Sequence, residues 1–77
     1  MSLHYHVLLD MREEDSPIPT IRTKEVLDNI GKGNVLKVIT SKESTIKNIK
    51  TLVANNPFNL IDHGKTDEGF VFFIEKL

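Results

Sequence analysis

Two prolines two residues apart, Pro17 and Pro19, fix where a helix can begin in this chain. A proline has no N–H to donate and its ring clashes with the turn before it, so a helix accepts it in the first turn and resists it deeper. A helix can therefore start at this point and run on, but it cannot run through from upstream. Ser16 suits a capping position, since a serine hydroxyl can accept a bond from a free first-turn N–H. From Pro19 onward, Thr23, Val26, Leu27 and Ile30 recur at helical spacing and form one stripe. Gly31 and Gly33 are placed to end the helix and turn the chain.

Before the prolines, His4 to Asp10 alternates. Leu3, Tyr5, Val7 and Leu9 fall on one face of a strand, and His4, His6, Leu8 and Asp10 on the other. Met11 to Asp15 is a polar connection ending in three acids. After the glycines, Asn34 to Thr40 reads as a second strand, with Val35, Leu36, Val38 and Ile39 apolar on both faces. Ser41 to Ser44 is a connection able to cap a second helix, whose buried stripe is Ile46, Ile49, Leu52 and Val53. Asn55-Asn56-Pro57 stops that helix, because a proline disfavours helical geometry in the residue before it. Phe58 to Lys65 and Gly69 to Lys76 are two further strands, joined as a hairpin through Thr66 to Glu68.

The order β-α-β-α-β-β implies an α/β two-layer sandwich, a four-stranded mixed sheet with two helices on one face, which buries both helical stripes. Crossovers between neighbouring parallel strands are expected to be right-handed. The last strand is apolar on both sides, with Phe70, Phe72 and Ile74 toward one and Val71 and Phe73 toward the other. With helices on one side only, Phe73 together with Leu8 or Ile39 would form an apolar patch on the open face. Such a patch is either a surface for a second copy in a weak homodimer or for a partner, or it lies under loops.

Length and charge remove several function classes. At 77 residues the chain is one domain, residues 1–77, with a limited core. It has no cysteine, hence no disulfide and no thiolate metal site. Ten Lys and Arg against eleven Asp and Glu give no bulk attraction to nucleic acid or to an acidic membrane. No apolar run nears the length of a membrane span, and the first residues lack the pattern of a signal peptide. The expectation is a cytoplasmic protein with neither nucleic-acid nor membrane partners.

Asp10-Met11-Arg12, followed shortly by Ser16-Pro17-Ile18-Pro19, resembles the signature of the TusA/SirA family of sulfur carriers. In that family a strand ends in Asp-x-Arg-Gly, and Cys-Pro-x-Pro opens the first helix. The likeness runs from Val7 to Lys76 and takes in Leu27, Gly33, Leu36, Val38, Ile49 and the closing Phe73-Ile74-Glu75-Lys76. Its most specific element is the Pro-x-Pro soon after Asp-x-Arg; the remainder is general α/β patterning. The resemblance implies a carrier that passes sulfur as a persulfide on the motif cysteine. A thiolate at a helix start is stabilised by free N–H groups and the helix dipole, and it exchanges sulfur with partner thiols.

In this chain Ser16 occupies the cysteine position. A hydroxyl cannot hold a transferable persulfide. The flanking residues depart as well: Glu13-Glu14-Asp15 stand where the family has Gly-Leu and a polar or basic residue. Three negative charges would raise a thiol's pKa and oppose its activation, which suits a serine native to the protein.

Other candidates are weaker. Ser16 as a nucleophile would need a base among His4, His6 and His63, and otherwise it is a cap. His4 and His6 share a strand face and could bind a metal loosely with His63 or Asp10, although fewer than three ligands make a poor site. Gly31-Lys32-Gly33 lacks the spacing of a phosphate loop. Lys42, Lys47 and Lys50, with Lys37 and Lys32, could attract an anion near the second helix or simply be solvated.

The reading is a non-catalytic protein-binding or regulatory module with the TusA/SirA-like fold and no cofactor. Asp10, Arg12, Ser16, Pro17, Ile18, Pro19 and Ile21 are the candidate rim at the start of helix one, where the resemblance implies contact with donor and acceptor proteins; Ile18 and Ile21 either are exposed there or pack under the acidic loop. The alternative is a sulfur carrier whose cysteine at position 16 is replaced by serine; any activity would then be of the sulfurtransferase type.

Overall fold

The computed structural model describes residues 4–77. Six elements form: β1 (Val7–Asp10), α1 (Ile18–Asn29), β2 (Val35–Thr40), α2 (Ser44–Ala54), β3 (Phe58–Thr66) and β4 (Gly69–Lys76). The strands make one sheet in the order β1-β2-β4-β3. β1 and β2 are parallel neighbours, with Val7 beside Leu36 and Asp10 beside Ile39. β4 is antiparallel to both β2 and β3. β2 and β3 thus run parallel with β4 inserted between them, and the second crossover spans that strand.

The alternation of β2 and β4 decides where the core lies. Leu36 and Val38 of β2 and Phe72 and Ile74 of β4 turn to one face, where Leu27 of α1 and Ile49 and Leu52 of α2 meet them, with Phe58 closing the end. Fully burying one such side chain contributes about 1.5–3 kcal/mol, so these few residues supply most of the driving force. The helical stripes are as the spacing predicts. Pro19, Thr23 and Leu27 are buried on α1, and the Thr23 hydroxyl donates to the Pro19 carbonyl at 2.6 Å. On α2 the buried set also includes Thr45, which the apolar pattern did not mark.

The first strand is shorter than the alternation suggests. His6 is a bend, so the period-two phase breaks before Val7. Val7 and Leu9 pack on the core as expected. Tyr5 does not join them: its ring lies 6.4 Å from that of Phe73, with Lys37 Nζ 5.3 Å from its centroid. Leu3, assigned to the same face, falls outside the described residues.

Neither helix takes the predicted serine cap. Pro17 holds the cap position of α1 and Glu43 that of α2, and neither helix start has a side-chain cap bond. At α1 the Asp15 carbonyl accepts the Ile18 N–H at 3.0 Å, doing with backbone what a Ser16 hydroxyl would have done. The Ser16-Pro17 peptide is cis. At the other end of α1 the chain leaves through extended Ile30 rather than a left-handed Gly31. Gly33 alone in that turn has positive φ, +86°, and its N–H donates to the Lys76 carbonyl at 2.7 Å, tying the turn to the end of β4.

The β3–β4 hairpin turns tightly through Asp67 and Glu68. Gly69 has φ +130°, and a Cβ there would stand 2.5 Å from the Thr40 carbonyl oxygen, so the hairpin can lie against the end of β2 only with glycine. Between Leu60 and Asp62 the pairing shifts by one residue, leaving Ile61 as a bulge on the edge strand.

The open face is not a uniform apolar patch. Ile39 and Val71 are paired across β2 and β4 and both buried. Phe73 is half-buried beneath Tyr5 and Lys37, and Lys37 pairs with Glu68 of the hairpin turn at 3.4 Å. Leu8, Tyr5 and Ile61 remain exposed.

Candidate functional site

β1 and β2 are parallel neighbours, so their C-terminal ends emerge side by side. The segment after β1, Met11 to Pro17, therefore runs against the segment after β2, Ser41 to Glu43. Met11 is buried and its N–H donates to the Ile39 carbonyl at 2.8 Å, which anchors the start of the loop. The Ser41 hydroxyl donates to the Arg12 carbonyl, and Lys42 Nζ pairs with Asp15 at 3.4 Å. Ser41 and Lys42, read from sequence as a helix cap and a solvated or anion-binding lysine, instead brace the loop that carries the motif.

Asp10 and Arg12 form a bidentate pair. Arg12 Nε reaches Asp10 Oδ1 at 2.9 Å and Nη2 reaches Oδ2 at 2.6 Å. The guanidinium beside it holds the Asp10 carboxyl below the usual aspartate range, and Asp10 in turn raises the Arg12 pKa. With Glu13 and Glu14 the pair lines an open cleft of about 460 Å³. Three carboxylates around one committed guanidinium leave that cleft without an attraction for anions.

Ser16 is exposed at the mouth of α1. Its hydroxyl accepts a long contact, 3.5 Å, from the Asn48 side-chain amide of α2. An amide is no general base. The histidines lie elsewhere: His6 Nδ1 accepts the Val35 N–H at 2.9 Å, and the His63 ring stacks on Phe72. Among the described residues no group of three His, Asp or Glu is arranged to hold a metal. Pro19 is buried in the first turn, while Ile18 and Ile21 point outward at 40% and 51% exposure. Of the rim residues expected from the sequence, Asp10 and Arg12 line one cleft, Pro17 lies in a second concavity with Thr20 and Asn48, and Ile21 lines a third with Lys24, Glu25 and Asp28.

Sequence reasoning missed Asn48, and missed the bracing by Ser41 and Lys42. These contacts join residues about thirty positions apart. Their signal is the parallel β1–β2 register, which periodicity alone does not supply.

The βαβαββ sandwich carries an Asp-x-Arg strand end and a Pro-x-Pro helix start. The chain belongs to the family described as sulfurtransferase TusA, whose model matches residues 7–76. A "putative sulfur carrier protein" of Methanocaldococcus jannaschii is 28% identical over 68 residues, spanning 88% of this chain and 91% of the relative. The "putative sulfur carrier protein YedF" of Escherichia coli is also 28% identical over 68 residues, spanning 88% of each. A crystal structure of a SirA-like protein from Desulfitobacterium hafniense superposes with a TM-score of 0.78 at 21% identity, over 91% of this chain and 95% of that one. That likeness concerns the fold. The relatives' names favour kinship with sulfur carriers over a regulatory module apart from them. No helix among the described residues is long and apolar enough to cross a membrane.

Proposed function

We propose that this chain acts in sulfur-carrier traffic as a protein-binding member of its family, docking through the helix-one rim without carrying sulfur itself. One observation carries the reading: the family frame from Asp10 to Pro19 is kept, while the chain has no sulfur nucleophile at position 16 or anywhere else. A hydroxyl cannot stand in for a thiolate in persulfide exchange. Ile18 and Ile21, exposed on the first turns of the helix that follows the Asp10–Arg12 loop, supply apolar area of a kind that suits protein contact. On this reading residues 1–77 work as one domain in the cytoplasm, and the exposed Tyr5 and Leu8 near the sheet edge would join a second copy in a weak homodimer.

The test is interference. The chain in excess is added to persulfide transfer from a cysteine desulfurase to a cysteine-bearing family member. Transfer should slow, and Arg12→Glu or Ile21→Asp should relieve the effect while circular dichroism shows the fold intact. Transfer that is indifferent to the wild-type chain sinks the reading.

The relatives' names favour a second reading, a carrier whose cysteine has been replaced by Ser16. It requires the Ser16→Cys form to gain one sulfur atom in mass from a desulfurase and to lose it to reductant. No gain, under conditions that load a cysteine-bearing relative, removes it.

A further inference from the structure

Two helices do not cover four strands of unequal length. β3 and β4 run on past α2 to their turn, and β3 from Ile61 onward is exposed. At this corner, on the helix side of the sheet, a cleft of about 230 Å³ opens between α2 and the hairpin. Ile46, Phe70 and Phe72 supply its apolar surface; Lys50, His63 and Lys65 supply its polar groups. Among the described residues no carboxylate lines it.

The side chains are arranged rather than scattered. Ile46 and Lys50 are one helical turn apart on the same face of α2. His63 and Lys65 alternate on β3, paired with Phe72 and Phe70. The His63 ring lies nearly parallel to that of Phe72, with centroids 6.3 Å apart. Lys65 Nζ stands 5.6 Å from the Phe70 centroid, which holds the cation at the edge of the apolar floor.

The charges are also uncommitted. Lys24, Lys37 and Lys42 each pair with a carboxylate, as do Arg12 and Arg22. Among the described residues neither Lys50 nor Lys65 does, and neither donates a side-chain hydrogen bond. In a chain with more acids than bases, two lysines without carboxylate partners and an imidazole line one cleft with two aromatic rings and form a local cationic, apolar concavity.

We propose that this cleft binds a small organic carboxylate, with the anionic head between Lys50 and Lys65 and a flat apolar body against Phe70, Phe72 and Ile46. His63 can donate an N–H to the same head. The site is separate from the helix-one rim. α2 turns Asn48 toward Ser16 and Ile46 with Lys50 toward the hairpin, so rim and cleft lie on different sides of that helix.

Benzoate is the probe, with benzamide as its neutral isostere and acetate as the head without the body. Each is titrated into the full chain labelled with nitrogen-15. Benzoate should give saturable shifts at Lys50, His63, Lys65 and Phe70, and benzamide and acetate should bind more weakly. The double variant Lys50→Gln/Lys65→Gln should bind benzoate roughly fivefold to tenfold less tightly, as expected for losing charge-assisted contacts at a partly wet site. Lys24→Gln, on the other helix, should leave binding unchanged. Both cleft lysines are exposed, so their exchange keeps the fold, and the same spectra report it. Equal affinity for benzamide, shifts centred elsewhere, or unchanged binding by the double variant would each overturn the proposal.

Discussion

Arg12 grips Asp10 with its side chain and its backbone together: Nε and Nη2 take one carboxylate oxygen each, and the Arg12 N–H adds a third bond to Oδ1 at 3.1 Å. The pair closes the end of β1 into the motif loop. Its worth to stability is limited by exposure; its worth to the site is that it fixes where the guanidinium stands.

The pair makes a pH prediction. The folded Asp10 pKa is depressed, chiefly by the Arg12 side-chain bonds. Its contribution is therefore fully present above the ordinary aspartate value, about 3.9, and is lost as pH falls through the lower folded value. Carboxyl NMR should show Asp10 titrating below that ordinary value in the wild type and returning toward it in Arg12→Gln. An Asp10 titration indifferent to Arg12→Gln would mean that the pair does not persist in solution.

Gly69 and Gly64 sit in the same hairpin and should respond oppositely to alanine. A Cβ at Gly69 would collide with the Thr40 carbonyl in a backbone of φ +130°, whereas one at Gly64 meets nothing within 4 Å. Gly69→Ala is expected to cost about 1–3 kcal/mol, the usual scale of such strain. Gly64→Ala should change stability by no more than about 0.5 kcal/mol, as surface changes do. Urea denaturation of the two variants checks the contrast, and equal midpoints would refute it.

Leu27 and Ile21 lie on the same helix, on opposite sides of its burial. Leu27 is fully buried and Ile21 is half exposed. Leu27→Ala should cost about 2–5 kcal/mol, enough to unfold much of a domain this small at 37 °C. Ile21→Ala should stay within about 0.5 kcal/mol of wild type. If Ile21→Ala proves as costly in thermal melts as Leu27→Ala, Ile21 is a packing residue and the rim loses its apolar part.

Periodicity made the fold legible because each buried stripe is a local pattern: Leu27 and Ile49 announce helices, and Leu36 with Val38 a strand. Strand order was not legible, since nothing local tells that β4 inserts between β2 and β3. The caps were misread for a related reason. A serine ahead of a helix is a good local signal, but at Ser16 the Asp15 carbonyl took the N–H first. Tyr5 was misplaced because alternation has no phase where the chain is not a strand. In the site, Asp10, Arg12 and Pro19 were legible from the motif. Asn48, Ser41 and Lys42 were not, because they reach it only through the parallel register of β1 and β2.

That register also bears on what a thiol would do at position 16. Lys42 neutralises Asp15 at 3.4 Å, but Glu13 and Glu14 stand exposed in the same loop without an ion-pair partner among the described residues. In the first turn Pro17 and Pro19 have no N–H, those of Ile18 and Ile21 are given to Asp15 and Pro17, and among the described residues only that of Thr20 stays without a backbone acceptor. Repulsion from the acids then outweighs what stabilisation the helix start offers. The Ser16→Cys thiol should ionise at or above the ordinary value of about 8.5, and Glu13→Gln/Glu14→Gln added to it should lower that value. Thiolate absorbance followed against pH measures both. A thiol that ionises well below the ordinary value with both acids in place would show that the loop still favours a sulfur nucleophile. The carrier reading would then gain over the docking one.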